Sequence, residues 1–392
     1  MSAAAPRILP LDPTSGELAE ALAPAGDALA ALAPRCERLF LIASPWAPGL
    51  TMVGAQTDPL AFGALAGAPR LSATGSGDDL ASALVSCLGE MAERLSLSER
   101  AGDVVRRARV ADVEGELFPP LREPVAARAA ARGLGGDRLD FVAVEEIGGG
   151  RWLAPADDIL LRPSWCGLRE ARVPASTGAA AGVTRAAALA SGAAELAERR
   201  AAADWWAGRR AARAAPPGWR AAAASWRAGE TGRSTRLIDV SPDGGPVCAV
   251  AVSSDVGRAG GFAFGAAAAG DFESAARAAL REAMQNEVGL ALARIRAATG
   301  GDSPASDAGH LSRDAWPGDA RLEPSQPAAA LDPLRGDPLK LLIKQGHRLA
   351  FAALSRPDVG VPAVKALAPT LWPPADAAQD STVDSTAFPP MF

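Results

Sequence analysis

The chain lacks tyrosine altogether and has only two histidines, three lysines and four cysteines among its 392 residues. Histidine acid–base chemistry is therefore limited to His310 and His347, whose contexts indicate structural or solvated side chains. The cysteines are scattered, with no C-x-x-C pair and no histidine at ligand spacing, which argues against structural zinc and a disulfide framework. No signal sequence is evident and no apolar run reaches the roughly 18 residues of a membrane span. We therefore expect a cytoplasmic protein that does not act at a membrane.

The balance of charge is acidic, because 45 Asp and Glu residues outnumber 40 Lys and Arg residues and give a net charge of −5. That sign argues against a general nucleic-acid-binding protein. Hydrophobic residues make up 48% of the chain and charged residues 22%, which is typical of a soluble globular protein. The length predicts two subdomains or one large elaborated domain.

Three segments share one plan, in which a strand leads through a glycine-containing turn into a long helix. They are residues 74–97, which begin TGSGDD, residues 176–212, which begin STGAAAG, and residues 262–296, which begin FAFGAAAAGD. Asp78 and Asp79 stand where a helix-capping residue is expected in the first segment. This repetition predicts an α+β fold, α/β-like in its units, with mixed sheets.

Other stretches predict the elements between these units. Alternating apolar residues indicate the strands, and glycine and proline indicate the turns and loops. The predicted elements are helical pieces over 16–35, strands over 37–43, 138–147 and 157–163, a hairpin over 235–254 with PDGG at its turn, an exposed loop over 300–335 that contains His310, and closing strands over 349–369.

The clearest internal repeat is SCLGEMAER at residues 86–94, which returns as SGAAELAER at residues 191–199. At about 100° per residue, the Ser, Glu and Arg side chains of each copy fall on one stripe of a helix and the leucines fall opposite. One interpretation is an ordinary amphipathic helix whose wet face carries Glu–Arg pairs four residues apart. The other is a pair of helices that direct four carboxylates into one cleft.

The second interpretation predicts a metal site, because gathered carboxylates repel each other unless a divalent cation lies between them. Mg²⁺ prefers oxygen ligands and keeps substrate phosphates among them, and neighbouring arginines suit a polyphosphate. The chain contains no G-x-x-x-x-G-K-[ST] sequence, and GETGRST at 229–235 is only a distant lookalike. The pattern therefore indicates Mg²⁺-nucleotide binding without a P-loop.

With these motifs in order, the chain resembles the YcaO family. The resemblance rests on SCLGEMAER, on STGAAAG followed by AELAERRAAADWW, on AALREAMQ at 278–285 and on VPAVKALAPTLWPP at 361–374, and it covers roughly residues 65–375. It implies an ATP-binding fold in which helix glutamates hold Mg²⁺ on the triphosphate. It also implies activation of a backbone amide oxygen by phosphorylation, which gives an azoline from Cys, Ser or Thr, or a thioamide from an external sulfur source.

The resemblance also assigns roles to individual residues, although none is assigned a catalytic role. Arg94 and Arg199 match the family arginines, and each is equally an intrahelical partner for its glutamate. The implied Mg²⁺ ligands are Glu90, Glu93, Glu195, Glu198 and Glu282, and the implied ATP contacts are Gly75, Ser76, Gly77, Ser86, Arg94, Arg199 and Gln285.

Several positions depart from the family pattern. Ser76 stands where a phosphate-facing lysine is common, and Ala278 stands where an arginine is expected, with Arg277 displaced by one position. These losses leave open a second expectation, in which the protein is a scaffold subunit of a peptide-maturation complex without ATP turnover. The further departures are Val183, Ala187, Arg200 and Glu287.

The resemblance implies a ribosomally made precursor peptide as substrate and a separately encoded leader-binding or accessory partner protein. Family members are often dimers, so a homodimer is also expected. The predicted domain boundaries are an N-terminal extension over 1–64, an ATP-binding domain over 65–375 and a proline-containing tail over 376–392 that includes Pro389 and Pro390.

Overall fold

Three antiparallel sheets, each covered by one long helix, build the protein in its computed structural model. The first sheet has the strand order β1-β2-β3-β4, the second β5-β6-β13-β14-β8 with β7 paired to β6, and the third β12-β11-β10-β9. The α+β fold predicted from the sequence is confirmed. The structure describes residues 5–163, 166, 176–229, 231–257, 260–300, 305–314, 323–328 and 336–372.

The described residues form helices and strands with the following bounds. The helices are α1 (Gly16–Leu22), α2 (Asp27–Leu32), α3 (Leu80–Leu97), α4 (Val110–Val113), α5 (Arg122–Ala131), α6 (Arg185–Trp206), α7 (Trp219–Arg227), α8 (Phe272–Thr299), α9 (Ala305–Asp314) and α10 (Pro338–Lys344). The strands are β1 (Arg7–Leu11), β2 (Arg38–Ala43), β3 (Thr51–Thr57), β4 (Leu71–Gly77), β5 (Arg106–Ala108), β6 (Leu139–Glu146), β7 (Arg151–Pro155), β8 (Ala179–Ala181), β9 (Arg213–Ala214), β10 (Arg233–Asp239), β11 (Val247–Asp255), β12 (Ala263–Ala269), β13 (Ala350–Ala353) and β14 (Ala363–Leu367).

The three predicted units are present as β4 with α3, β8 with α6 and β12 with α8. Each helix starts at a side-chain cap, and the capping oxygens of Asp79, Thr184 and Asp271 accept backbone N–H bonds at 2.7, 3.1 and 2.8 Å. Such caps satisfy donors that the first helical turn leaves unpaired. In every unit one glutamate lies 11 residues after the cap, namely Glu90 (90 − 79), Glu195 (195 − 184) and Glu282 (282 − 271).

The units pack in a closed ring. Helix α3 contacts its own strand β4 and also β8 of the second unit, α6 contacts β8 and also β12 of the third, and α8 contacts β12 and also β4 of the first. Each helix therefore lies between two sheets. The polar stripes of the three helices are turned towards a common centre.

The apolar faces of these helices are buried, as the sequence predicted. Leu84, Leu88, Met91 and Leu95 of α3 have no exposed surface and pack with α1, α2 and the first sheet. Helix α6 buries its leucines against the second sheet, and α8 buries its apolar face against the third. Core packing therefore fixes the rotation of each helix about its axis.

Two predictions for elements outside the three units were wrong. Residues 157–163 are not a strand, because the chain forms a short 3-10 turn at Ala156–Asp158, where the carboxylate of Asp158 is buried against Arg128. The predicted loop over 300–335 contains helix α9, so His310 lies on a helix rather than in a loop. The other predicted strands, the hairpin of β10 and β11, and the long helices are confirmed.

The predicted boundary at residue 65 remains a prediction, as does the tail over 376–392 with Pro389 and Pro390, which lies outside the described residues. Strands β1, β2 and β3, which precede residue 65, share a sheet with β4. In the part of the chain that the structure describes, no helix has the length and apolar character needed to cross a membrane.

Candidate functional site

Each of the three central helices holds one glutamate against the backbone of its own unit. The glutamate 11 residues after the cap accepts a hydrogen bond from an amide N–H at the strand or at the turn that enters it. This bond fixes one carboxylate oxygen of each glutamate. The three bonds are Thr74 N to Glu90 Oε2 at 3.1 Å, Gly178 N to Glu195 Oε2 at 3.1 Å and Ala266 N to Glu282 Oε2 at 2.7 Å.

Glu93 lies one turn after Glu90 and faces the second unit. Burial raises the pKa of Glu93 well above its ordinary value, and the negative charges of Glu195 and Glu90 raise it further. Its side chain keeps some solvent-accessible surface although protein atoms surround it, as expected inside a cleft. This carboxyl group therefore lacks sufficient positive charge around it to be ionised at low cost.

Glu198 shows the same imbalance between the second and third units. Burial is the main cause that raises its pKa, and the charges of Glu282 and Glu195 add to it against the attraction of Arg199. Burial also raises the pKa of Glu282. The structure thus brings together the five predicted Mg²⁺ ligands. We call the space between their side chains the glutamate cleft, bounded by Glu90, Glu93, Glu195, Glu198 and Glu282.

Arg94 and Arg199 are paired within their own helices. The guanidinium of Arg94 donates from Nε and Nη2 to Glu90 Oε1 at 2.9 and 2.6 Å, and Arg199 Nη2 lies 3.2 Å from Glu195 Oε1. Burial lowers the pKa of Arg199, but the charges of Glu198, Glu195 and Glu282 outweigh this effect and raise it overall. The intrahelical pairing considered for these arginines is therefore present, while a role at ATP remains a prediction.

Lys365 on β14 is a cation of the cleft that sequence reasoning missed. It is fully buried and donates from Nζ to the carbonyl oxygen of Thr177. Burial lowers its pKa to about 8, against the attraction of Glu195, Asp158 and Glu93. Its only sequence signal is its place in the strand PAVKAL, since a buried lysine gives no periodic pattern.

The residues predicted as a glycine turn lie inside a strand instead. Gly75, Ser76 and Gly77 are all buried in β4. A Cβ at position 75 would overlap the backbone N of Cys87 and lie 2.6 Å from the carbonyl oxygen of Ala83. The glycine is therefore explained by close packing of β4 against α3, and its predicted contact with ATP remains untested.

The two other predicted ATP contacts differ in exposure. Ser86 is exposed on α3, one turn before Glu90, and Gln285 is half-buried on α8, one turn after Glu282. Among the described residues neither side chain makes a hydrogen bond. Both are therefore positioned on the helices of the cleft with free hydrogen-bonding groups, and their role stays a prediction.

The departures from the family pattern have different structural consequences. Val183 is 85% exposed just before the cap of α6. Arg200 turns away from the cleft and bonds to Asp204 at 2.8 Å. Glu287 lies on the buried face of α8 and pairs with Arg227 through bonds of 2.7 and 2.6 Å. Arg200 and Glu287 thus serve packing around the site rather than the cleft itself.

The donor set of the glutamate cleft fits Mg²⁺. In the described part of the chain, no three His, Cys, Asp or Glu side chains are already arranged around a common ligand position. Mg²⁺ does not need such a cage, because it keeps several waters and binds through one or two carboxylates and substrate phosphates. Carboxyl groups whose pKa is raised by burial first, and then by neighbouring glutamates, provide the oxygen ligands.

Solved structures support the fold. The chain resembles a heterocyclase in complex with substrate and cofactor at a TM-score of 0.66 and 18% identity, over 90% of this chain and 52% of the other. It resembles YcaO from Methanopyrus kandleri bound with AMPPCP and Mg²⁺ at a TM-score of 0.62 and 18% identity, over 97% of this chain and 95% of the other. It resembles the E. coli microcin synthetase McbBCD complex with pro-MccB17 bound at a TM-score of 0.61 and 12% identity, over 91% of this chain and 96% of the other. The chain spans about half the length of that heterocyclase.

Sequence comparison identifies the family. No curated protein sequence matches the chain significantly. The family model described as "YcaO cyclodehydratase, ATP-ad Mg2+-binding" matches residues 74–372, which contain all five glutamates of the cleft. ATP and Mg²⁺, the cofactors predicted from the sequence, are those of this family model. The chain therefore belongs to the YcaO family of ATP- and Mg²⁺-binding cyclodehydratases.

Proposed function

We propose that this protein uses ATP and Mg²⁺ to modify a ribosomally made precursor peptide by phosphorylating a backbone amide oxygen. The observation that carries the proposal is the glutamate cleft. Three helices from three sheets each fix one glutamate by a backbone N–H bond, and Glu93 and Glu198 lie between them with raised pKa values. Burying ionisable carboxyl groups beside one another is unfavourable, and a bound cation would offset that cost.

The protein's own residues hold the reactants in this proposal. The five glutamates would ligate Mg²⁺ directly or through water, and Ser86 and Gln285 would contact ATP. Bound Mg²⁺ supplies positive charge that neutralises the phosphates and the charge that develops during phosphoryl transfer. The ion pair of Arg94 with Glu90 and that of Arg199 with Glu195 would fix which carboxylate oxygens point inwards.

In the reaction proposed for the azoline product, ATP supplies the phosphoryl group that turns the carbonyl oxygen into a leaving group. A Cys, Ser or Thr side chain attacks the preceding carbonyl carbon, and the carbonyl oxygen takes the terminal phosphoryl group of ATP, which leaves ADP. The attacking thiol or hydroxyl gives up its proton to solvent, the phosphate departs with the former carbonyl oxygen, and loss of the amide proton gives the C=N bond of the ring. Phosphorylation is needed because an amide oxygen is a poor leaving group. For a thioamide product, sulfide-level sulfur from an external donor attacks the carbon instead, and departure of the phosphate with loss of the sulfur proton gives C=S while the amide proton is kept.

The proposed partners are the precursor peptide and a separately encoded protein that binds its leader. One structural relative, the microcin synthetase with pro-MccB17 bound, is a complex of several proteins, which supports this arrangement. A homodimer and a cytoplasmic location are part of the same proposal.

Calorimetric titration of the purified protein with ATP, with and without Mg²⁺, tests the proposal. We expect Mg²⁺-dependent binding that weakens at least tenfold in Glu90→Gln. The matched control is Glu20→Gln, which changes an exposed glutamate of α1 and should bind as the wild type does. Absence of binding in folded wild-type protein would overturn the proposal.

A second candidate is a scaffold subunit of the same maturation complex, favoured by the missing cations at Ser76 and Ala278. Both candidates bind Mg²⁺-ATP, so phosphate release in the presence of the precursor and partner separates them. Release by wild-type protein, lost in Glu90→Gln, supports the enzyme. Binding without any release supports the scaffold.

A further inference from the structure

A small pocket lies behind helix α6, on the side away from the glutamate cleft. It encloses about 190 Å³ between α6, α10 and the 3-10 turn at Pro369–Leu371. At about 100° per residue, the α6 positions that line it fall roughly opposite Glu195. These positions are Ala197, Arg200, Ala201 and Asp204. This space, which we call the α6 pocket, is therefore separate from the cleft.

Positive charge is in excess at the α6 pocket. Of the described residues that line it, Asp204 alone is acidic, and three arginines surround its carboxylate. Arg200 Nε and Arg209 Nε donate to Asp204 at 2.8 and 3.0 Å, and Arg210 Nη2 lies 3.8 Å from it. One carboxylate cannot neutralise three guanidinium groups, so the pocket favours an anion.

The two arginines that line the pocket keep hydrogen-bonding capacity. The Nε of Arg210 is buried and has no hydrogen-bond partner within the described ranges, and its Nη1 reaches only the carbonyl oxygen of Ser241, at 3.4 Å. Arg200 Nη1 reaches the carbonyl oxygens of Thr370 and Trp372, both also at 3.4 Å. A buried donor without a partner is unfavourable, and bonds of this length are weak. Both guanidinium groups can therefore bind a better acceptor.

The remaining walls of the α6 pocket are neutral and partly apolar. Leu342 of α10 and Leu371 contribute apolar surface. The imidazole of His347 bonds to the hydroxyl of Thr370 at 2.9 Å, and burial, together with the charge of Arg200, lowers the pKa of His347 so that it is neutral at pH 7. Pockets for drug-sized ligands enclose about 300 Å³ or more, so this one suits a smaller anion that carries an apolar part.

We propose that the α6 pocket binds a small aliphatic carboxylate, which accepts hydrogen bonds from Arg200 and Arg210 and packs its carbon chain against the leucines. The planar guanidinium suits a carboxylate. An amino acid fits less well, because Asp204 is already bonded to arginines and is not free for an ammonium group. Inorganic phosphate would bind the arginines but leave the apolar wall uncovered. The site lies outside the glutamate cleft, so the inference does not rest on the proposed function.

The test is a titration of the full-length protein with sodium butyrate at constant ionic strength, followed by saturation-transfer NMR. We expect saturable binding with a dissociation constant on the order of 1 mM, as suits so small a ligand. Butyramide, which has the same shape without the charge, should not bind. Arg210→Met and Arg200→Met should each weaken butyrate binding about tenfold or more, because each removes a hydrogen bond to a charged group. Arg210→Lys, which keeps the charge, should recover part of the affinity.

Arg209→Met is the matched control, because Arg209 bonds to the same Asp204 but does not line the pocket. Its side chain is 41% exposed, so its loss should change butyrate affinity by no more than about twofold. Equal weakening in Arg209→Met and Arg210→Met would overturn the inference, as would tighter binding of inorganic phosphate than of butyrate. Absence of saturable binding in folded wild-type protein would also overturn it. Butyrate binding should persist in Glu90→Gln, and its loss there would place the ligand in the glutamate cleft instead.

Discussion

Glu195 accepts a hydrogen bond from the backbone N–H of Gly178 at 3.1 Å, across the entry to the second unit. Equivalent bonds hold Glu90 and Glu282 in the other two units. The repeat seen in the sequence therefore reflects one local arrangement that occurs in all three units. A cap, a helix of fixed phase and a backbone donor together place each carboxylate at the centre of the ring.

The close approach of β4 to α3 predicts opposite effects for two glycines near Glu90. Gly75→Ala should destabilise the protein by about 1–3 kcal/mol or more, because its Cβ would overlap the backbone of α3. Gly89→Ala should be neutral or stabilise it by about 0.5–1 kcal/mol, because nothing lies within 4 Å of a Cβ at that helical position. Urea unfolding of both variants measures the difference. Equal stability of the two would show that β4 does not need a glycine at position 75.

The buried pair of Arg227 and Glu287 predicts a structural penalty without a binding defect. Glu287→Gln leaves a buried guanidinium uncompensated and should lower the free energy of unfolding by about 3–5 kcal/mol. The double variant R227M/E287M removes both charges and should lose less stability than Glu287→Gln. Thermal melting measures the stabilities, and calorimetry on the folded protein at low temperature measures affinity for Mg²⁺-ATP. Weaker binding by folded Glu287→Gln would contradict the placement of this residue outside the cleft.

The sequence was sufficient to predict the helices of the cleft, because their apolar stripes set both extent and orientation. The ExxE pairs therefore identified four of the five glutamates directly. The third unit was harder to recognise from pattern alone, since its helix reads ExxQN where the others read ExxER. Its equivalence is clear only from the cap at Asp271 and the bond from Ala266 to Glu282.

Tertiary contacts decided what the sequence did not predict. Helix α9 has the sequence ASDAGHLSRD, which is poor in helix-favouring residues, and ion pairs to α8 hold it in place. The segment TGSG reads as a turn, yet the packing of Gly75 and Gly77 against α3 keeps it in a strand. Lys365 therefore reaches the site from a segment without a recognisable motif.

The raised pKa of Glu198 predicts that the nucleotide-free protein loses stability as the pH rises. Its native pKa lies above the unfolded value of about 4.3, so the native state binds more protons between the two values. Its contribution to stability is thus present below pH 4.3 and is lost as the pH rises through the raised native pKa. Glu198→Gln removes this loss, so its Tm should exceed that of the wild type by about 2 °C or more at pH 7.5.

The comparison between variants isolates Glu198, because the other titrating groups are common to both proteins. The advantage of Glu198→Gln should shrink towards pH 4.5, while its affinity for Mg²⁺-ATP at pH 7.5 should fall at least tenfold. The exposed variant Glu20→Gln should show neither effect. If Glu198 is buried in order to bind a cation, its replacement by Gln should raise the Tm of the nucleotide-free protein and weaken the binding of Mg²⁺-ATP. A variant that loses stability at pH 7.5 would instead assign Glu198 a structural role as the partner of Arg199, which lies 3.6 Å away.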